Sequence, residues 1–483
     1  MESKKYLKYF LCILSGFLLA LAYPVFNLEF FAFLAFIPLF FAIQDVRLKQ
    51  AFFLSYLCGI IFFAVIIYWL VHVTIPGSIL LILYLALYFG IFGILFKLLG
   101  RNRSVSVITI PAAWVLLEYM RSHLFTGFGW ALLGYSQYLN LPVIQIADVT
   151  GVWGVSFLVI LVNTAIYSVL SAGGGSALGG GSRFSILGAI KKSWIAVLCI
   201  IITLTYGYYK IYRTTNTGQQ TPIKISVIQG SIPQYQKWDE DFKYFILERY
   251  ETLTKDAAKD EPDLIIWPET AVPGFIGEEP ELLGRILGLA KRVRTPILVG
   301  AVTTDDDFNY NSAVLISADG KMVGQYNKLH LVPFGEYIPL EQHLSFLRQM
   351  VNKPIGNFTP GNKYKMFELK NPKDQASVTR FGVLICFEDI VPRLVKRFVD
   401  NGADFMVNIT NDAWFMRSSA PYQHAQASVF RAVENRVPVV RAANTGLSCF
   451  IDKTGRIYEK VMVDKKDIFV IGYKTAEVKL QKD

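Results

Sequence analysis

The stretch FGVLICFED, residues 381–389, carries the clearest structural signal in this chain. The mostly apolar residues before Cys386 predict a buried strand, and 390–398, after the acidic residues, predicts a helix. A cysteine between a strand and a helix lies near helix N–H groups, whose partial positive charge favours the thiolate. The pattern therefore indicates a nucleophile, and the alternative is a buried, inert cysteine.

Two further stretches place a chemically active side chain at the end of a predicted strand. The stretch DLIIWPET, residues 263–270, brings Glu269 to the end of an apolar strand, and YNKLHLVPFGEY, residues 326–337, carries Lys328 and a second glutamate just past a strand. Acyl transfer through a cysteine needs a thiolate, a group that takes and returns a proton, and positive charge or N–H donors at the oxyanion. Together with Cys386, these side chains fill the three roles without a metal or a cofactor.

A glutamate, a lysine and a cysteine in this order, each at a strand end, resemble the catalytic triad of the nitrilase superfamily. The strings WPET, NKLHLVPFGEY and ICFED resemble one branch closely, the apolipoprotein N-acyltransferases. The resemblance covers nearly the whole chain, and the apolar N-terminal half makes it more specific. It implies a catalytic domain with the nitrilase-type α-β-β-α sandwich.

The resemblance also implies roles for individual side chains. Cys386 is expected to be the nucleophile, Glu269 the general base, and Lys328 the group that stabilises the tetrahedral intermediate. Glu336 is expected to be a fourth catalytic residue in a supporting role, and supporting or substrate-binding positions are expected at Trp238, Phe387, Glu388 and Trp414. The chain departs from the family at Phe387, where many relatives have tyrosine, so a role for a hydroxyl group does not carry over.

The composition indicates a membrane protein. Of the 483 residues, 53% are hydrophobic and 18% are charged, and the mean hydropathy is +0.37. Long apolar runs occupy roughly the first 215 residues, whereas the rest has the mixed pattern of a globular domain. We therefore predict a transmembrane helical domain at 1–215 and a catalytic domain at 216–483.

Seven apolar spans are predicted in the first domain, with lengths around the ~20 residues that cross a bilayer. They cover about 6–23, 28–44, 51–71, 77–97, 105–120, 143–171 and 194–209. Basic residues precede the first span and fill every second connection, so the positive-inside rule predicts a cytoplasmic N-terminus. Seven crossings then place the catalytic domain on the outer side. The expected location is the bacterial cytoplasmic (inner) membrane, with this domain in the periplasm.

The net charge of +10 does not indicate a nucleic-acid partner. Many basic residues lie between apolar spans, where orientation and contact with anionic headgroups explain them better. No cysteine or histidine spacing suggests a metal site. Cys386 and Cys449 are the two cysteines of the catalytic domain, and a disulfide between them is the alternative to a catalytic Cys386.

Several loops are unusually apolar. The segments 337–340, 344–350 and 414–416 indicate a binding surface or a membrane contact, and the alternative is that they pack on the domain's own core. The aromatic connection 122–137 indicates either lipid binding or a simple interfacial aromatic belt. The Gly/Ser-rich stretch 173–182 has the composition of a flexible linker.

The catalytic half alternates strand and helix patterns, which predicts an α/β fold with mixed sheets. Strands are expected at 223–229, 264–267, 296–302, 313–317, 382–385, 404–409, 437–442 and 447–452, and helices at 241–257, 280–293 and 423–435. No apolar span follows 468–473, whereas family members often end in a further transmembrane helix.

These features lead to one functional hypothesis and two alternatives. As the resemblance implies, the enzyme takes an acyl chain from a phospholipid, typically the sn-1 chain of phosphatidylethanolamine. A cysteine thioester then carries the chain to the N-terminal amine of a diacylglyceryl-cysteine lipoprotein. The first alternative is a membrane-tethered amidase or nitrilase that acts on a small amide. The second is a transporter or sensor with an inactive nitrilase domain, against which the complete set of three chemical groups argues.

Overall fold

The computed structural model describes residues 2–100, 105–173, 186–216, 220–305, 308–333, 335–337, 357–370 and 378–481. The chain forms two compact units, Met1–Thr215 and Asn216–Asp483. The predicted linker at 173–182, from residue 174 onward, lies outside the described residues, as do 338–340 and the apolar loop at 344–350.

The first unit is helical. Its helices are α1 Glu2–Leu21, α2 Phe36–Ile43, α3 Leu48–Ile66, α4 Ile75–Leu99, α5 Ser106–His123, α6 Leu141–Ile144, α7 Ala147–Gly173 and α8 Ile186–Asn216. Each of the seven predicted spans contains helix. Among the residues with described structure, four helices are long and apolar enough to cross a membrane: Leu48–Ile66, Ile75–Leu99, Ala147–Ala172 and Ser193–Thr214.

The second predicted span, 28–44, is not one continuous helix. A 3₁₀ turn at Glu29–Phe33 precedes α2, and Asn163 on α7 fills the break between them. The Asn163 side chain accepts a hydrogen bond from the Phe36 N–H at 3.0 Å and donates one to the Ala32 carbonyl at 2.8 Å. Because unpaired backbone groups are costly in apolar surroundings, this buried amide stabilises the interruption.

The connection after α5 is held by two buried charged side chains of that helix. The Arg121 guanidinium donates to the Trp130 carbonyl at 2.8 Å, and the Glu118 carboxylate accepts from the Leu133 N–H at 2.6 Å. The second half of this connection is buried, whereas Phe125 is exposed. Most of its aromatic residues therefore pack inside the first unit instead of forming an exposed belt.

The second unit contains thirteen described strands and four α-helices. The strands are β1 Gln220–Gln229, β2 Leu264–Ile266, β3 Phe275–Ile276, β4 Ile297–Asp305, β5 Phe308–Ile316, β6 Met322–Asn327, β7 Met366–Lys370, β8 Val378–Ile385, β9 Phe405–Thr410, β10 Val439–Ala443, β11 Cys449–Ile451, β12 Ile457–Lys460 and β13 Gly472–Gln481. The helices are α9 Lys243–Ala258, α10 Pro280–Val293, α11 Pro392–Asp400 and α12 Ala420–Asn435.

The strands form two mixed sheets with the same plan. The first has the order β13-β1-β2-β4-β5-β6, with β3 beside β4, and the second has the order β12-β11-β10-β9-β8-β7. In each sheet three central strands run parallel and the outer strands are antiparallel. Parallel strands covered on both faces read as continuous apolar runs, which is why β2 and β9 were predictable.

The two sheets pack against each other, with α9 and α10 outside the first and α11 and α12 outside the second. This is the α-β-β-α sandwich that the resemblance implied, and that prediction is confirmed. The carboxyl ends of β2 and β8 and the end of β6 carry Glu269, Cys386 and Lys328.

Candidate active site

Glu269 is buried in a tight turn just after β2. The next residue, Thr270, has a left-handed backbone with φ 44°. The turn packs directly on the backbone of β4 at Gly300, where a Cβ atom would lie 2.2 Å from the Pro268 oxygen and 2.7 Å from the Glu269 Cα. Glycine is therefore required at this position, and the close approach fixes the backbone that carries the carboxylate.

Lys328 is almost completely buried between two carboxylates. Its Nζ lies 2.9 Å from Glu336 Oε1 and 3.5 Å from Glu269 Oε1. Asn311 on β5 donates to the same two oxygens, at 2.8 Å each. The Val332 N–H donates to the other oxygen of Glu336 at 2.8 Å. The structure thus brings three of the predicted site residues into one polar cluster.

Lys328 keeps its charge in this setting. Burial lowers the pKa of the ammonium, but the carboxylates of Glu336 and Glu269 raise it by more, so the pKa lies above its usual value. A permanently charged ammonium beside the nucleophile can stabilise an oxyanion.

Cys386 lies at the end of β8 in a left-handed conformation, with φ 55°. It begins a 3₁₀ turn, Cys386–Ile390, and the α-helix starts only at Pro392. The prediction of a cysteine at an α-helix N-terminus was therefore wrong in detail, because a short turn separates the two. Side chains hold the backbone oxygen of Cys386: Asn408 Nδ2 lies at 2.9 Å and His424 Nε2 at 3.3 Å.

The Cys386 thiol is protonated at rest, contrary to the expectation of a ready thiolate. Burial raises its pKa, the carboxylate of Glu269 raises it further, and the charge of Lys328 opposes both. A thiol of this kind needs a base to become a nucleophile, and Glu269 is the carboxylate placed to act on it. Cys386 and Cys449 are both free, so the alternative of a disulfide between them is wrong.

Glu388 links the nucleophile turn to the lysine loop. Its carboxylate accepts from the Ile385 N–H at 2.8 Å, from the Leu329 N–H at 2.7 Å and from the Tyr326 hydroxyl at 2.9 Å. Burial raises the pKa of Glu388 to about 7, and the backbone N–H donors limit the rise. Glu388 therefore acts on the positions of Cys386 and Lys328.

A buried charge cluster behind the nucleophile was not predicted from the sequence. His424 on α12 lies 3.1 Å from Asp389 and 2.9 Å from Asp412, and Arg441 on β10 lies 3.1 Å and 3.4 Å from the same two carboxylates. The charges of Asp389 and Asp412 raise the pKa of His424 to about 9, although burial and Arg441 lower it. The cluster is therefore two anions paired with two cations near neutral pH, directly beneath the Cys386 carbonyl.

This cluster predicts a pH dependence of stability. In the folded protein the pKa of His424 is raised from 6.5 to about 9. Its contribution to the free energy of unfolding is therefore complete below pH 6.5 and is lost as the pH rises through 9. The loss amounts to about 3 kcal/mol. The melting temperature of the wild type should therefore fall between pH 6.5 and pH 9, and that of a His424→Asn protein should lack this fall.

The matched control is His330→Gln, because burial lowers the pKa of His330 and places its titration below this window. This variant should keep the wild-type profile. A His424→Asn protein that still lost stability over the same range would contradict the assignment.

Trp238 is adjacent in the chain to a lysine that contacts the site. The tryptophan is half exposed, whereas Lys237 is buried and its Nζ donates to the Glu269 backbone oxygen at 3.0 Å. Burial lowers the pKa of Lys237 to about 8, against the opposing charges of Glu269 and Cys386. The sequence analysis missed this second amine, which only its position beside the predicted Trp238 could have suggested.

Trp414 and Phe387 are both half-buried. Trp414 lies on the 3₁₀ turn Asp412–Phe415, which follows β9. Asn411, at the start of this turn, donates to the Gln234 side chain at 2.8 Å. The turn is thereby joined to the loop that carries Lys237 and Trp238, and Met416, the residue after the turn, is exposed.

The sandwich, its buried glutamate and lysine and its half-buried cysteine are those of a carbon–nitrogen hydrolase, the class also called the nitrilase superfamily. The family model for carbon-nitrogen hydrolases matches residues 224–480, more than half of the chain. The model for the apolipoprotein N-acyltransferase N-terminal domain matches residues 15–165.

Curated relatives make the assignment more specific. The apolipoprotein N-acyltransferase of Geobacter metallireducens is 40% identical over 466 residues, which cover 93% of this chain and 86% of the relative. That of Pasteurella multocida is 31% identical over 476 residues, covering 94% and 87%. The chain belongs to the apolipoprotein N-acyltransferase family. It is an acyltransferase with a nitrilase-type catalytic domain, and its apolar helices make it a membrane protein.

Solved structures of nitrilase-superfamily members overlap the catalytic half. A member of branch 10 from Saccharomyces cerevisiae is 19% identical, with a TM-score of 0.40, and covers 54% of this chain and 91% of its own. An amidase from Nesterenkonia sp. is 16% identical, with a TM-score of 0.39, and covers 54% and 91%.

Proposed function

We propose that this protein moves an acyl chain from a phospholipid, the sn-1 chain of phosphatidylethanolamine, to the N-terminal amine of a diacylglyceryl-cysteine lipoprotein. The observation that carries the proposal is the cluster of Glu269, Lys328 and Cys386 in a chain that also contains apolar helices of membrane-crossing length. The family's name supports a lipoprotein as the acyl acceptor, and the apolar helices support a lipid as the acyl donor.

In the first half-reaction Glu269 takes the proton of the Cys386 thiol, and the sulfur attacks the ester carbonyl of the phospholipid. Lys328 stabilises the negative oxygen of the tetrahedral intermediate. The carbon–oxygen bond to the glycerol then breaks, Glu269 returns the proton to the departing oxygen, and lyso-phospholipid leaves a thioester on Cys386.

In the second half-reaction the lipoprotein amine attacks the thioester carbonyl. Glu269 takes a proton from the amine, the carbon–sulfur bond breaks, and an amide forms while the thiol is regenerated. A covalent intermediate suits two amphiphilic substrates, because one can leave before the other enters. The side chains supply every proton transfer, so these steps use no cofactor.

The remaining predicted residues support these steps. Glu336 fixes Lys328, and Glu388 joins the lysine loop to the nucleophile turn. We assign substrate contact to Trp238, Trp414 and Phe387. The first of these is half exposed, and exposed apolar side chains mark surfaces that bind a ligand or contact a membrane.

The test separates acyl transfer from hydrolysis. Purified protein in mixed micelles receives phosphatidylethanolamine and a diacylglyceryl-cysteine peptide, and mass spectrometry follows lyso-phospholipid and triacylated peptide. Equal amounts of both products would support the proposal. Release of ammonia from small amides without either lipid product would support the amidase instead, and ligand binding with no turnover at all would support the inactive sensor.

We further propose that the helical unit crosses the bacterial inner membrane seven times and that the catalytic unit is periplasmic. The alternation of basic connections in the sequence supports this orientation. In spheroplasts, a membrane-impermeant maleimide should label a cysteine introduced between residues 215 and 222, but not one introduced at residue 182. The single cysteines are introduced into a variant that lacks the native cysteines. The reverse labelling pattern would contradict the proposed orientation.

A further inference from the structure

Thr410 ends β9 beside the nucleophile. The parallel strands β8 and β9 pair Ile385 with Ile409, so the next residues along the two strands are Cys386 and Thr410. Thr410 has no solvent exposure, and its carbonyl accepts from the Asn444 N–H of the β10 end at 3.0 Å. Its backbone is therefore fixed between the two neighbouring strands.

The hydroxyl of Thr410 lacks a hydrogen-bond partner among the residues that the structure describes. A buried hydroxyl without a partner costs free energy, and valine would fill the same space without that cost. The hydroxyl nevertheless acts on the Cys386 thiol as a weak hydrogen-bonding side chain that lowers its pKa, against the larger effects of burial and Glu269.

Both polar side chains of β9 near the nucleophile act on Cys386. Asn408 donates to its backbone oxygen at 2.9 Å, and the Asn408 oxygen is in turn held by Arg441 at 3.0 Å. Asn408 thus has its partners in the resting protein. Thr410, two residues along the strand, makes no such well-formed hydrogen bond in the resting protein.

We propose that Thr410 is a catalytic residue that donates its hydroxyl hydrogen bond to the sulfur of Cys386 when the sulfur is negatively charged. The inference rests on the proposed role of Cys386 as the nucleophile. A thiolate arises twice in the cycle: when Glu269 removes the thiol proton, and when the amine expels the sulfur from the thioester. A hydrogen bond to a charged acceptor is stronger than one to a neutral acceptor, so it favours the thiolate selectively.

The test compares Thr410→Val, Thr410→Ser and wild type in detergent micelles. Valine keeps the shape and orphans no other group, so the variant should fold as well as wild type. Iodoacetamide reacts with the thiolate, and peptide mass spectrometry gives its rate at Cys386 alone as a function of pH. In the valine variant the alkylation profile should shift to higher pH, and thioester formation should slow by about 10- to 100-fold. Serine should restore both.

Thr445→Val is the matched control, because Thr445 is also buried with an unpartnered hydroxyl in the described part of the catalytic unit. It should leave the Cys386 alkylation profile unchanged. An unshifted profile in Thr410→Val, or one that serine does not restore, would overturn the proposal. The alkylation measurement needs no substrate and therefore tests the role of Thr410 alone. The proposed acyl transfer is tested separately, by whether the wild-type protein forms a thioester with phospholipid.

Discussion

A Cys386→Ala protein incubated with phospholipid alone should gain no mass, whereas wild type should gain one acyl group that hydroxylamine removes. The reason is that the acyl chain is held by the sulfur, and alanine offers no atom that can form this bond. The loss should be complete for both half-reactions, because the second consumes the product of the first. Intact-protein mass spectrometry measures it directly.

The matched control is Cys449→Ala, which removes the other cysteine of the catalytic unit. Cys449 is free and buried in β11, so this variant should still gain the acyl mass. The mechanism would be falsified if the Cys386→Ala protein acquired the hydroxylamine-sensitive mass or still acylated a lipoprotein peptide.

Glu269→Gln should slow thioester formation by about 10²–10⁴-fold while the protein remains folded. The glutamine oxygen can still accept from Asn311 Nδ2, which lies 2.8 Å from Glu269 Oε1. It cannot take a proton, however, and burial keeps the pKa of Cys386 above its usual value. The defect should shrink at alkaline pH, because hydroxide can then deprotonate the thiol in place of the carboxylate.

Glu251→Gln provides the comparison for this prediction. Glu251 is also buried and forms an ion pair with a cationic side chain, Arg285, at 2.9 Å. It lies on α9, away from Cys386. The Glu251→Gln protein should form the thioester at the wild-type rate at temperatures where it is folded. If the Glu269→Gln protein formed thioester at the wild-type rate, Glu269 would not be the base.

Site residues that come shortly after an apolar strand could be predicted from the sequence. Glu269 and Cys386 each come after an apolar run that identifies a central parallel strand, β2 in the first sheet and β8 in the second. Lys328 instead follows the antiparallel edge strand β6. The glutamate and the cysteine were therefore predictable from local sequence, and the lysine from the resemblance of the string around it.

The groups that hold the site together were not predictable in this way. His424 and Arg441 contact Asp389 and Asp412 from segments far along the chain, and no local pattern encodes that meeting. The elevated pKa of Cys386 has the same origin, because it depends on burial and on neighbours from other strands. The outer strands β7, β12 and β13 were also missed, although β7 and β13 alternate buried and exposed residues with the period of two that is typical of a strand.

The pairing of β13 with β1 bears on how the protein is made. The second sheet is continuous in the sequence, from Met366 to Lys460, and can assemble as soon as that segment has reached the side of the membrane where the unit folds. The first sheet instead joins its opening strand to the last described one, with Gln220 opposite Gln481. A nascent chain that already contains Cys386 thus still has an open β1 edge, and only the later residues 472–481 can close it.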